Sequence, residues 1–236
     1  LVIVCVEIVA LCVIHRAHLD EASAVIAADG KYTPCLLNAQ DGWKQMCQRD
    51  DIDLIYICTD WLTHAPMACY AMEQGKHVAI EVPAATTVEE CWQLVDTAER
   101  MRRHCFMLEN CCYDFFELTC LNMAQQGLFG EVIHAQGAYI HNLEPFWAHY
   151  QGNWRLEFNQ DHAGDVYATH GLGPVCQVLD IHRGDKMEYL VSMSTPSYNG
   201  KKIAKEMMGT EEFANGDMTS TLIKTNKGKT ILIQHN

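Results

Sequence analysis

The stretch DLIYICTDWLTHAPMACYAMEQGKHVAIEVPAA, residues 53–85, decides the fold. Its opening, inside the apolar run 51–59, has the density of Leu, Ile and Tyr expected of a buried strand. Residues 63–76 follow with helical spacing, Thr63 expected as N-cap and Gly75 as the C-terminal stop. A second apolar run, 77–82, stops abruptly at Glu81-Val82-Pro83. Strand, helix and strand at this spacing predict a parallel sheet covered by helices on both faces. Ligands of such sheets sit at the carboxyl ends of the strands. That places Thr59, Asp60, Trp61, Glu81, Glu109 and Asn110 on one rim. The Val82–Pro83 bond is a candidate for the cis form, although most X–Pro bonds are trans.

The alternation extends both ways. A strand is expected over 7–12 and a helix over 19–30, ending at Gly30. A helix over 87–103 starts from Thr87, and a strand covers 104–110. After Asn110 the pattern changes. A helix over 114–127, stopped by Gly127, leads to a strand over 131–142. Residues 143–169 read as one irregular segment, and 170–184 as a helix. Strands over 188–195, 217–225 and 229–235 finish the chain, the last two joined at a hairpin signal, Asn226-Lys227-Gly228. The expected class is α/β: a Rossmann-like parallel sheet over 1–111, then an α+β domain with a mainly antiparallel sheet over 112–236. The chain starts inside an apolar run without Met and stops on a strand, so both domains are expected to be incomplete, as in a piece of a longer protein.

Composition narrows the partners. The 236 residues carry a net charge of -13, which argues against nucleic acid or an anionic membrane. No apolar run reaches the roughly 18–20 residues of a membrane span. Twelve cysteines lack Cys-x-x-Cys spacing. They read as reduced, buried, small hydrophobes, with Cys111-Cys112 the one candidate reactive pair. His141, Glu144 and His149 share a loop but form no His-Glu-x-x-His helix, and no metal is expected.

Three groups of residues are candidates for chemistry. Trp61 and His64 flank a helix start at the rim, a place suited to an anionic or nucleotide ligand. Tyr113, Tyr139 and Tyr167 each lie near an element end. A tyrosine of pKa about 10 is a poor base until a neighbouring cation, such as an oxidised nicotinamide, lowers that value. His170 opens a helix after Thr169, the expected N-cap, with Gly171, Gly173 and Pro174 following. The glycines would let a ligand approach the backbone closely. The electropositive helix end disfavours imidazolium, so His170 is expected neutral and able to accept a proton.

These segments resemble the Gfo/Idh/MocA oxidoreductases, in which the strand end usually reads Glu-Lys-Pro. Here Val82 replaces the lysine that would act in proton transfer. With LENCCYDFFEL (108–118) and YATHGLGPVCQVLDIHRGDKM (167–187), the chain resembles one branch, glycoside hydrolase family 109, from about residue 7 to its end. The resemblance implies an NAD-dependent α-N-acetylgalactosaminidase. Hydride leaves C3 of the sugar, the C2 proton is removed, the C1 group is eliminated, water adds, and the hydride returns. It implies that Trp61, His64, Glu81, Val82 and Asn110 line NAD, and that Tyr139, Arg155, Tyr167 and His170 line the sugar. His170 would handle the C3 hydroxyl proton, and Tyr113 or Tyr139 the C2 proton. The expected partner is a glycan with terminal N-acetylgalactosamine. Homo-oligomerisation and compartment, cytoplasmic or exported in folded form, stay open.

The turn Gly-x-Gly-x-x-Gly and an acidic residue after the second strand are not found in these residues. The alternatives are a sugar dehydrogenase of the wider family and a non-catalytic sugar-binding relative. Val82 separates the first of these from the glycosidase, because net dehydrogenation favours an ionisable group there.

Overall fold

The computed structural model describes residues 6–28, 33–149 and 154–236, without the side chains of 147–149. The expected stop at Gly30 and the side chain of His149 lie outside the described residues. The chain forms two compact units, Leu1–Leu108 and Glu109–Asn236.

The first unit holds strands β1 (Ala10–Cys12), β2 (Cys35–Leu37), β3 (Leu54–Ile57), β4 (His77–Ile80) and β5 (Cys105–Met107). Every pairing is parallel: β1 with β2, and β3-β4-β5 as a three-stranded sheet. Its helices are α1 (Arg16–Ala28), α2 (Gly42–Cys47), α3 (Trp61–Glu73) and α4 (Val88–Met101). Ala65, Ala68 and Met72 recur at helical spacing along α3 and pack on Ile55, Ile57, Val78 and Ile80, with Leu94 of α4 completing the core. Each Ile, Val, Leu and Met among them gains about 1.5–3 kcal/mol from burial, and the alanines less.

Local chemistry sets the helix ends. Gly75 has a φ of +81°, and the N–H groups of Gly75 and Lys76 close back onto the carbonyls of Met72 and Ala71, a Schellman stop. Thr87 caps α4 through a reciprocal box with Glu90. The N-cap of α3 is Asp60, not Thr63. Asp60 has extended backbone, and Thr63 sits inside the first turn, donating its hydroxyl to Asp60 O and Thr59 Oγ1. The expectation of helices on both faces also needs correction. The sheet face away from the α3/α4 core leaves Leu54, Tyr56 and Phe106 exposed among the described residues.

The second unit holds β6 (His134–Tyr139), β7 (Met187–Ser194), β8 (Thr219–Thr225) and β9 (Thr230–His235), in the order β6-β9-β8-β7. β7–β8 and β8–β9 are antiparallel and β6–β9 is parallel, so the sheet is mixed. The parallel pairing sets Tyr139 beside His235 at the carboxyl ends of both strands. Strict alternation on β8 and β9 sends Ile223, Ile231 and Ile233 inward to meet Val175 and Leu179. Gly228, φ +87°, makes the hairpin turn between those strands.

Its helices are α5 (Phe115–Gln125), α6 (Trp154–Asp161), α7 (Ala168–Val178) and α8 (Asn199–Met208). The segment 143–169, expected to be irregular, carries a 3-10 turn over Glu144–His149 and then α6. Long-range anchoring explains α6: buried Asn159 accepts a 2.6 Å hydrogen bond from Asn215 Nδ2, a contact that hydrophobic periodicity does not register. The eleven described cysteines are free thiols. Cys47 and Cys112 are buried as expected, whereas Cys35, Cys58 and Cys91 are exposed.

Candidate active site

The site in the second unit starts from a backbone contact. A Cβ added at Gly137 of β6 would lie 2.1 Å from Gly171 O, and one at Gly171 would lie 2.8 Å from Gly137 C. Only a glycine pair lets strand and helix meet this closely. A Cβ at Gly173 would lie 2.8 Å from both Cys112 Sγ and Glu109 Cγ. The glycines of α7 therefore make room for the protein's own strand and turn, not for a ligand as their spacing implied.

This packing brings His170 onto Glu109. His170 Nδ1 and Glu109 Oε1 are 2.6 Å apart, and both side chains are buried. Burial alone would raise the Glu109 carboxyl. The hydrogen bond from His170, with help from the Cys111 N–H, brings it below the usual range. An ionised carboxylate at Nδ1 fixes the tautomer: Nδ1 carries the proton and Nε2 is left to accept one. Thr169 is inside the first turn of α7, and the N-cap is Tyr167. Cys111 Sγ lies 3.3 Å from the same Nδ1. Burial and the Glu109 charge push its thiol up to about 11, so it is not an activated nucleophile.

Three rings gather beside this pair. Tyr139 and Tyr167 stack at 5.0 Å and 14°, and His170 lies 4.9 Å from the first and 4.7 Å from the second. His235 stacks on Tyr139 at 5.8 Å. The guanidinium of Arg155 sits 5.3 Å from the Tyr167 ring centroid. Burial lowers His235 to about 4 and raises its 3.9 Å neighbour Asp165. Both shifts favour the neutral forms, so that contact is not an ion pair. An open pocket of about 280 Å³ between α5, β6 and α7 reaches His170 and is walled mainly by apolar groups such as Phe116, Ala135 and Pro174.

The structure thus brings together Tyr139, Arg155, Tyr167 and His170. Tyr113 ends the 3-10 turn Asn110–Tyr113, is exposed, and makes none of these ring contacts. Asn110 opens that turn and is exposed. Position in the sequence puts Glu109 on the rim but gives it no partner. The signal for its role is a contact 61 residues long in sequence.

In the first unit, Trp61, His64 and Val82 are buried. His64 Nδ1 lies 2.7 Å from Pro83 O and its Nε2 3.1 Å from Thr59 O, so the ring ties the start of α3 to the Pro83 turn. The Val82–Pro83 bond is cis. Glu81 is half-buried and accepts a 2.6 Å hydrogen bond from the Tyr56 hydroxyl, which burial and Glu81 push up to about 12. Among the described residues, the group able to offer three metal-ligand atoms together is Glu109, Cys111 and His170.

A parallel α/β unit followed by a mixed sheet with a buried histidine–carboxylate pair defines a two-unit α/β protein with a Rossmann-like first part. Residues 5–109 match the oxidoreductase family with an NAD-binding Rossmann fold, and residues 113–236 match the C-terminal domain of glycosyl hydrolase 109. The chain belongs to glycosyl hydrolase family 109. It is 60% identical over 233 residues to a glycosyl hydrolase family 109 protein of Bacteroides fragilis, covering 98% of this chain and 50% of that one. An alpha-N-acetylgalactosaminidase from the same organism is 54% identical over 243 residues, covering 98% and 57%. The chain thus spans about half the length of the curated relatives it matches. The solved structure of a probable dehydrogenase from Thermotoga maritima shares the fold, with a TM-score of 0.73 at 13% identity over 98% of this chain and 62% of that one.

Proposed function

We propose that the parent protein hydrolyses terminal α-N-acetylgalactosaminides with the help of a bound NAD. The observation that carries this reading is the buried 2.6 Å Glu109–His170 pair beside the stacked Tyr139 and Tyr167, in a chain of family 109. The first unit fits the cofactor in kind: a parallel sheet whose β3 end leads into the N-terminus of α3, and whose β4 end carries the half-buried carboxylate of Glu81. When bound, NAD supplies a reversible hydride acceptor for C3 of the sugar.

The residues of this chain supply the proton traffic. His170 takes the C3 hydroxyl proton at Nε2 and returns it at the end of the cycle. Glu109 holds the tautomer and stabilises the imidazolium that forms meanwhile. Tyr139 removes the C2 proton, which a C3 ketone acidifies, and gives it back after water has replaced the leaving group at C1. Tyr139 is chosen over Tyr113 because it stacks on His170. Arg155, over Tyr167, orients the sugar or its N-acetyl group. Trp61, His64, Val82 and Asn110 shape the cofactor side. Buried Val82 has no proton to offer, so acid–base work falls to His170 and Tyr139.

The test uses the complete parent protein with NAD and an α-N-acetylgalactosaminide in deuterated water. The expected product carries deuterium at C2, without accumulation of NADH. Sugar release without C2 exchange would overturn the mechanism, and stoichiometric NADH would make the protein a dehydrogenase. His170→Ala is expected to lower turnover by about 10²–10⁴-fold while NAD stays bound. Full activity in that variant would remove His170 from the mechanism.

A further inference from the structure

Glu109, Cys111 and His170 offer more than the proposed hydrolysis uses. Their ligand atoms lie within 4.8 Å of one another, with Glu109 Oε1 2.6 Å and Cys111 Sγ 3.3 Å from His170 Nδ1. Zinc binds oxygen, nitrogen and sulfur at about 2.0–2.3 Å, so an ion inserted among these atoms needs only small outward shifts of the donors. The donor set is also selective. A thiol beside an imidazole and a carboxylate suits a borderline-soft ion, whereas magnesium and calcium take oxygen alone.

Rigid elements hold the three groups. Glu109 and Cys111 flank the start of the 3-10 turn, His170 is in the first turn of α7, and Gly173 lets the two elements touch. Glu109 and His170 are 5% and 9% exposed, and Cys111 is half-buried, which leaves an approach from its side. The negative charges of Asp114 and Glu117 also act on Cys111 and favour a cation there.

We propose that Glu109 Oε1, Cys111 Sγ and His170 Nδ1 bind one thiophilic divalent cation of the zinc class, with water as the fourth ligand. Binding releases the Cys111 thiol proton to solvent. The ring proton of His170 moves from Nδ1 to Nε2 through solvent, and Glu109 stays ionised, so a divalent ion is neutralised by one thiolate and one carboxylate. Nε2 then becomes a donor instead of an acceptor. The expected consequence, which rests on the proposed function as the site itself does not, is reversible inhibition of hydrolysis.

Cobalt(II) titrated into the reduced parent protein tests the site. A thiolate-to-cobalt charge-transfer band is expected at one equivalent per chain, lost in Cys111→Ser and kept in Cys112→Ser. A band of full intensity in Cys111→Ser would overturn the proposal. Anomalous scattering at the zinc edge from zinc-soaked crystals needs no variant: a peak among the three side chains supports the site, and peaks only elsewhere refute it. In activity assays, zinc is expected to lower turnover at least tenfold, with recovery on adding EDTA. Turnover unchanged under zinc that is shown to bind would refute the inhibition and leave the site standing. Failure to hydrolyse the galactosaminide in the absence of zinc would count against the proposed function, not against the cobalt result.

Discussion

At His170 the two ring nitrogens have different fates: Nδ1 faces the carboxylate of Glu109, and Nε2 is left for the substrate. Glu109→Gln keeps the shape and removes the charge that fixes this tautomer. It is expected to lower turnover by about 10²–10³-fold and to shift the acid limb of the pH–rate profile, with NAD affinity unchanged. A profile that keeps its shape would make Glu109 a structural residue only. His235 gives a separate pH signature. Its imidazole titrates at about 4 in the folded chain and near 6.5 when unfolded. Between those values the unfolded state binds more protons, so stability falls as pH drops through that window. The loss is up to roughly 3 kcal/mol, and urea melts of His235→Gln should show a flatter dependence between pH 7 and pH 4.5. An equal slope in the variant would assign the effect to other groups.

Among elements, the crossing of β6 and α7 decides whether the site exists. Gly137→Ala drives a methyl into Gly171 O and must part strand from helix. The expected cost is about 1–3 kcal/mol, with a fall in turnover as Tyr139 and His170 lose their stacking, measured by denaturant melts and assay of the same samples. A variant of unchanged stability would show that the crossing relaxes freely. Elements with strong local patterns are legible: the apolar runs that form β3, β4, β8 and β9, the Thr87 N-cap of α4, and the glycine stops after α3 and α5. The three-residue β2 and six-residue α2 are too short to show a period. Asn159 and Asn215 hold α6 across 56 residues, a bond without a local trace.

On the scale of the whole molecule, one surface carries its own expectation. Tyr189, Val191 and Met193 of the edge strand β7 align with Leu222 of β8 on one face, and all four are exposed. An open apolar edge of this kind favours association. Sedimentation of the 236-residue chain should show self-association that Val191→Lys with Leu222→Glu reduces, with thermal stability nearly unchanged. Association unaffected by the pair would place the contact elsewhere. No helix among the described residues is long and apolar enough to cross a membrane, in keeping with the short apolar runs of the sequence. By itself, the sequence determined the parallel strand–helix alternation, the change of style near residue 110 and the closing hairpin. These follow from burial periodicity and turn sterics acting over a few residues. Only the tertiary structure decided which tyrosines meet His170, that Glu109 is its partner, and that the α7 glycines face protein. Those outcomes depend on the parallel β6–β9 register and a backbone contact between Gly137 and Gly171, groups that chain order keeps far apart.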